Sequence, residues 1–148
     1  MSGETLTAGE GATIRVMATA VAQKAVTVRA LQAALTKAWS HRTSADPAGW
    51  SEDNAALGQC AVTALIIQDY FGGDLRRGEV GSISHYWNVL PSGEELDLTK
   101  HQFPDDVEIA NVQPRTREYV LSHPETVRRY RALSRAVAAS LGTAVPRH

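Results

Sequence analysis

Cysteine is nearly missing, with one in 148 residues. An internal disulfide is therefore excluded, and with it a disulfide-stapled secreted scaffold and a zinc site built on four thiolates. A cationic surplus is missing too. Lys and Arg number 15 against 16 for Asp and Glu, a formal charge of −1, whereas domains that coat phosphate backbones carry an obvious positive excess. No nucleic-acid partner is expected. The longest strongly apolar stretch, Ala64 to Ile67, is far too short to cross a bilayer, so no membrane partner is expected either. The opening Met1-Ser2-Gly3-Glu4-Thr5 contains an acid and leads into no apolar run, and no secretory leader is read there. The expected location is the cytoplasm. What is present suffices for a core: 43% of residues are hydrophobic and 21% charged, within a length normal for one domain.

Residues 1–12, with Gly3, Gly9 and Gly11, read as a polar arm. From Thr13 the pattern turns helical. Ile14, Met17, Val21 and Ala25 recur at spacings of three or four, and Val28, Leu31 and Leu35 carry the stripe towards Trp39. One long helix fits, as does an arm helix followed by a core helix from Val28. The chain divides accordingly into an N-terminal extension, 1–27, and one domain, 28–148. His41 to Gly58 is a loop by composition, bracketed by Trp39 and Trp50, whose rings can pin it to the core. Cys60 to Phe71 is a central helix, apolar on most of its circumference and stopped by Gly72-Gly73.

Beyond Gly73 the period changes. Leu75 to Val80 is a short strand and Ile83 to Leu90 a stronger one; Pro91-Ser92-Gly93 turns the chain into Glu95 to Thr99, which gives an antiparallel hairpin. His101 to Pro114 reads as irregular. Ser122-His123-Pro124-Glu125 matches a capping box for a helix over Glu125–Leu141, stopped at Gly142. Val127, Tyr130, Leu133, Val137 and Leu141 form its buried stripe. The arginines at 115, 117, 128, 129, 131 and 135 read as a solvated face. The fold class is α+β.

Three segments hold the candidate chemistry: Gly58-Gln59-Cys60, Ser84-His85-Tyr86-Trp87-Asn88 and Glu95-Leu96-Asp97-Leu98. Cys60 falls at the start of the central helix. Unpaired amides and the positive end of the dipole there favour a thiolate and suit an oxyanion formed at a carbonyl. His85 and Asp97 fall on the two arms of the hairpin. A carboxylate on one imidazole nitrogen would fix the ring and leave the other nitrogen for the thiol. A turn centred on Ser92-Gly93 pairs Leu90 near Glu95 and Asn88 near Asp97, leaving His85 diagonal to Asp97. Strict alternation puts Leu96 and Leu98 on a face that excludes Asp97. The spacing permits a Cys-His-Asp triad without requiring it. Gln59 and Asn54 are candidates to donate to an oxyanion or to cap the helix, Asn88 to orient His85 or pair across the hairpin, and Trp87, Tyr86 and Trp50 to wall a pocket or fill the core.

Simpler readings stand beside these. A lone cysteine in an apolar helix is often a small buried hydrophobe, His85 can be a core histidine with one hydrogen bond, and Asp97 can cap a turn. Zinc on Cys60 and His85 with Asp97, His101 or His41 lacks a tight ligand pair of the Cys-x-x-Cys kind, and no metal or cofactor is expected.

Gly58-Gln59-Cys60-Ala61-Val62-Thr63-Ala64-Leu65 with Gln68-Asp69, Ser84 through Pro91, and Glu95 through Thr99 with Gln102-Phe103 resemble the YunG-like family of small bacterial proteins. Trp39-Ser40, Thr43-Ser44 and Trp50-Ser51 add to the likeness, which runs from about Leu31 to Thr126. More distantly, a helix-borne cysteine followed by histidine and aspartate on adjacent strands is similar to the transglutaminase-like and NlpC-type members of the papain-like superfamily. That resemblance implies a papain-like core with the cysteine helix packed on a small antiparallel sheet, and amide hydrolysis, transamidation or acyl transfer through a thioester. Cys60, His85 and Asp97 take the matching roles. The expected function is a thiol hydrolase or acyltransferase acting on an amide, ester or thioester carbonyl of a small molecule or peptide. The alternative is a non-catalytic binding module of the same fold, docking a partner through its N-terminal helix. The stripe from Ile14 to Val28, if uncovered, would pair with a second copy as a homodimer.

Overall fold

A computed structural model describes residues 25–146, and its first helix, α1 (Val28–Ala38), starts where Thr27 caps it. The Thr27 hydroxyl accepts the Ala30 amide at 3.0 Å from an extended backbone, satisfying one of the donors a first turn leaves unpaired. The domain helix therefore begins at Val28. The arm at 1–12 and the stripe residues Ile14, Met17 and Val21 lie outside the described residues, as does any dimer contact through them.

The remaining elements are α2 (Cys60–Phe71), β1 (Asp74–Val80), β2 (Ile83–Val89), β3 (Glu95–Leu96), a 3-10 turn at Lys100–Gln102, β4 (Ala110–Arg115), α3 (Arg117–Val120) and α4 (Pro124–Leu141). The order is α+β. The strands form one antiparallel sheet in the order β3-β2-β1-β4. Helix α2 packs on β1 and β2, and α4 packs on both α2 and α1. The central helix thus lies between the sheet and α4, which is why it is apolar nearly all round. Leu65 and Ile66 are fully buried, as are Leu31 and Leu35 of α1 and Leu133 and Val137 of α4. Each such side chain contributes about 1.5–3 kcal/mol by leaving water. Trp39 closes the cluster from the end of α1, its indole donating to the buried Thr63 hydroxyl at 2.9 Å.

Four expectations need correction. The second hairpin arm is two residues long rather than five, because Asp97 Oδ1 accepts from its own chain at Thr99 N and Thr99 Oγ1 and so leaves the ladder. Its register is one residue from the expected one: Asn88 faces Leu96 and Val89 faces Glu95. The stretch expected to be irregular contains β4, an edge strand with five of six residues exposed. It has no buried face to impose alternation, and its Pro114 is tolerated because an edge strand can spare an amide. Finally, no capping box forms. The last helix is capped at His123 without a side-chain bond and starts on Pro124, while Ser122 Oγ donates to Tyr119 O at 2.7 Å. Proline at the first helical position fixes φ where no amide partner is needed.

Candidate active site

His85 sits in the middle of β2 with no exposed surface. Its ring stacks on Trp87, with centroids 5.7 Å apart and planes inclined by 23°, and meets the edge of Phe103 at 5.1 Å. Its Nε2 lies 2.6 Å from Asp97 Oδ2. The other carboxylate oxygen is held by Thr99, so Asp97 is oriented from its own side of the contact. Because Asn88 faces Leu96, Asp97 follows β3 on the side of Trp87 and His85, where alternation along β2 puts both rings. Trp87 is fixed in turn by its indole N–H, which donates to Glu95 Oε1 at 2.9 Å.

Cys60 opens α2 with 9% of its surface exposed. Its Sγ donates to Ser84 O at 3.6 Å, which draws the thiol to the strand residue beside His85. Nδ1 of His85 is buried without an ordinary hydrogen bond, and Cys60 is close enough to act on the ring. Burial presses His85 towards its neutral form, but the hydrogen bond to Asp97, the contact with Cys60 and the charges of both outweigh it, and the pKa is raised from 6.5 to about 9. The three residues picked out on the sequence meet at one place.

The approach to Cys60 is stitched. Gly58 has φ +73°, and a Cβ there would stand 2.3 Å from Ser44 Oγ, so only glycine fits. Ala45 N donates to Gly58 O at 2.9 Å, and Gly58 N to Gln102 Oε1 at 3.2 Å. Gln102, with Phe103, was legible only as part of the family motif, with no chemical signature of its own. Gln59 is fully buried, its amide occupied by Ser40 O and Thr43 Oγ1. This side chain does not point at the cavity, and it does not cap α2 either. The donors left for an oxyanion are therefore first-turn backbone amides.

A cavity of about 500 Å³ opens over the sulfur, with Cys60, Tyr86, Gln102, Arg77 and Arg129 in its wall. Trp50 and Trp87 are not among its lining residues, because each indole is committed elsewhere: Trp50 pins its own loop through a 2.8 Å bond to Ala55 O, and Trp87 backs His85. Asn54 donates to Gln102 O at 3.4 Å rather than reaching the thiol. Asn88, fully buried, donates to Ala64 O of α2 at 2.9 Å and so ties helix to sheet rather than orienting His85. His101 packs on Trp39 and His41 on Trp50. Among the described residues no group of three His, Cys, Asp or Glu side chains is arranged to hold a metal.

A family model with the description "YunG protein" matches residues 27–142. The chain belongs to the YunG family. It is 37% identical over 84 residues to the uncharacterized protein YunG of Bacillus subtilis (strain 168), across 57% of this chain and 69% of that one. No solved structure matches. The YunG match begins at the residue that caps α1 and ends at the glycine that stops α4. No described helix of this YunG-family chain is long and apolar enough to cross a membrane.

Proposed function

We propose that this chain is a cysteine-nucleophile hydrolase or acyl/amide transferase with a papain-like core, acting on an amide, ester or thioester carbonyl through Cys60, His85 and Asp97. The observation that carries the reading is the buried His85 ring, clamped at 2.6 Å by Asp97 on one nitrogen and left unpartnered on the other beside a thiol at a cavity floor. A merely structural histidine has no need of a free, buried nitrogen, which is costly to leave unpaired.

The chemistry follows from the protonation state. A ring held protonated up to about 9 is a cation beside the sulfur, suited to the thiolate form that attacks. The sulfur attacks the carbonyl carbon, and the oxyanion is met by the uncapped first-turn amides of α2. Collapse breaks the bond to the leaving group, which takes the proton from His85 Nδ1, and a thioester remains on Cys60. Water or an amine then attacks; His85 accepts its proton, the carbon–sulfur bond breaks, and the thiolate–imidazolium pair returns with an acid or amide released. Asp97 keeps the ring oriented throughout.

A p-nitrophenyl ester tests this directly. The expected result is a burst of one p-nitrophenolate per chain with the acyl group found on Cys60 by mass spectrometry. The burst should be absent in Cys60→Ser and slowed by about 100-fold or more in His85→Ala. An unmodified Cys60 after prolonged incubation would leave the binding-module reading in its place.

A further inference from the structure

Two guanidinium groups share the cavity wall with the nucleophile. Arg77 reaches it from β1 and is held by a hydrogen bond to Ser84 Oγ. Arg129 reaches it from α4, with Nη2 3.3 Å from Thr126 Oγ1 and Nε buried without a hydrogen-bond partner. Among the described residues neither makes an ion pair: the described bridges are His85–Asp97, Arg117–Asp69 and Arg128–Glu125. Glu125, the acid nearest to Arg129 in sequence, is thus engaged by Arg128 at 2.9 Å. The one carboxylate in the wall, Asp46, belongs to an exposed residue and accepts from Gly49 N at 3.1 Å. His123 also lines the cavity. Two guanidinium groups outside any described ion pair, on a wall that also carries Leu57, Ile83 and Val120 beside the polar Ser84, Gln102 and Thr126, form a receptor for an anion attached to an apolar or acyl body.

We infer that the substrate carries an anionic group, a carboxylate or phosphate, gripped by Arg77 and Arg129 while its carbonyl lies over Cys60. The inference rests on the reading of Cys60 as a nucleophile and narrows it to one substrate class. Burial, and then the neighbouring Arg128, press Arg129 below its ordinary pKa, so an anion beside it relieves an unfavourable charge. Arginine also outperforms lysine here because its planar fork can hold a carboxylate or phosphate through two parallel bonds.

The test is alkylation of Cys60 by iodoacetate and by iodoacetamide, two reagents alike except for charge, with each rate divided by that of glutathione. The normalised ratio of iodoacetate to iodoacetamide should exceed one by about tenfold and fall by about tenfold in Arg129→Gln and in Arg77→Gln. Arg129→Lys, which keeps the charge and loses the fork, should fall between. Competition by succinate and by inorganic phosphate distinguishes the two anion types. A ratio near one in the wild-type chain, or one that both Gln variants leave unchanged, overturns the anion site even if iodoacetamide reacts rapidly and the nucleophile reading stands. If Cys60 proves inert to both reagents, that reading fails separately. Titration calorimetry of succinate and of phosphate into Cys60→Ser then decides the site: binding lost when Arg129→Gln is added supports it, and no binding, or binding that survives Arg129→Gln, overturns it.

Discussion

His85 Nε2 and Asp97 Oδ2 stand 2.6 Å apart across a hairpin whose second strand ends one residue before the aspartate. The register is what makes the contact possible. With Asn88 opposite Leu96, the next residue, Asp97, comes off the end of β3 on the Trp87 and His85 side, whereas the expected register would have set it opposite Asn88 and off the His85 face. The same hydrogen bonds to Thr99 that stop the strand also aim the carboxylate.

That pair makes stability depend on pH in a defined direction. Because His85 is raised in the folded state from 6.5 to about 9, its contribution is fully present below pH 6.5 and is lost as pH rises through about 9. The expected span is on the order of 3 kcal/mol. Urea melts at pH 6 and pH 9.5 should show that loss, and Asp97→Asn should flatten the difference while lowering the His85 titration followed by NMR.

Thiol reactivity should report the same ring. Alkylation of Cys60 by a neutral reagent is expected to be rapid in the folded chain and to drop by about 100-fold in His85→Ala. A rate that stays slow until urea unfolds the chain would mark Cys60 as a structural residue and end the catalytic proposal.

Gly58 offers a test of the loop that precedes the nucleophile. Gly58→Ala places a Cβ 2.3 Å from Ser44 Oγ and 2.8 Å from Ala45 N at a backbone φ of +73°. The expected destabilisation is about 2–4 kcal/mol in denaturant melts, with a fall in Cys60 labelling because Gln102 loses its hold on the Gly58 amide. An unchanged melt would show that the loop has room that the packing denies.

Away from the cavity, Asp69 is almost fully buried in an ion pair with Arg117 at 2.8 Å, and the Tyr130 hydroxyl joins them. The network ties α2, α3 and α4 together. Arg117→Ala should lower stability by about 3 kcal/mol, since it strips the cation from a buried carboxylate. Arg128→Ala, which breaks the exposed pair with Glu125, should change it by less than about 0.5 kcal/mol. The two midpoints in urea, compared side by side, decide this.

Some of this was legible without coordinates. The span of α2, from Cys60 to Phe71, follows from an apolar run between glycines, and the choice of Cys60, His85 and Asp97 follows from residue chemistry at an expected helix start and hairpin. Strand β4 was not legible, because an exposed edge carries no alternation. Arg129 was hidden among five other arginines and grouped with a solvated face. Its one signal was its place next to Tyr130 and three residues after Thr126, at the border of the buried stripe. Gln59 looked like an oxyanion donor by adjacency alone, whereas its amide is used up inside the loop.

By itself the sequence determined where α2, β1 and β2 run and which groups are candidates for chemistry, because periodicity, glycine stops and side-chain chemistry are local properties. Only the tertiary structure decided which nitrogen of His85 meets Asp97, that the thiol faces a cavity, and that Arg77 and Arg129 converge there. Those depend on the register of β3 on β2 and on how α4 lies across α2, and both are set by packing between residues apart in the chain.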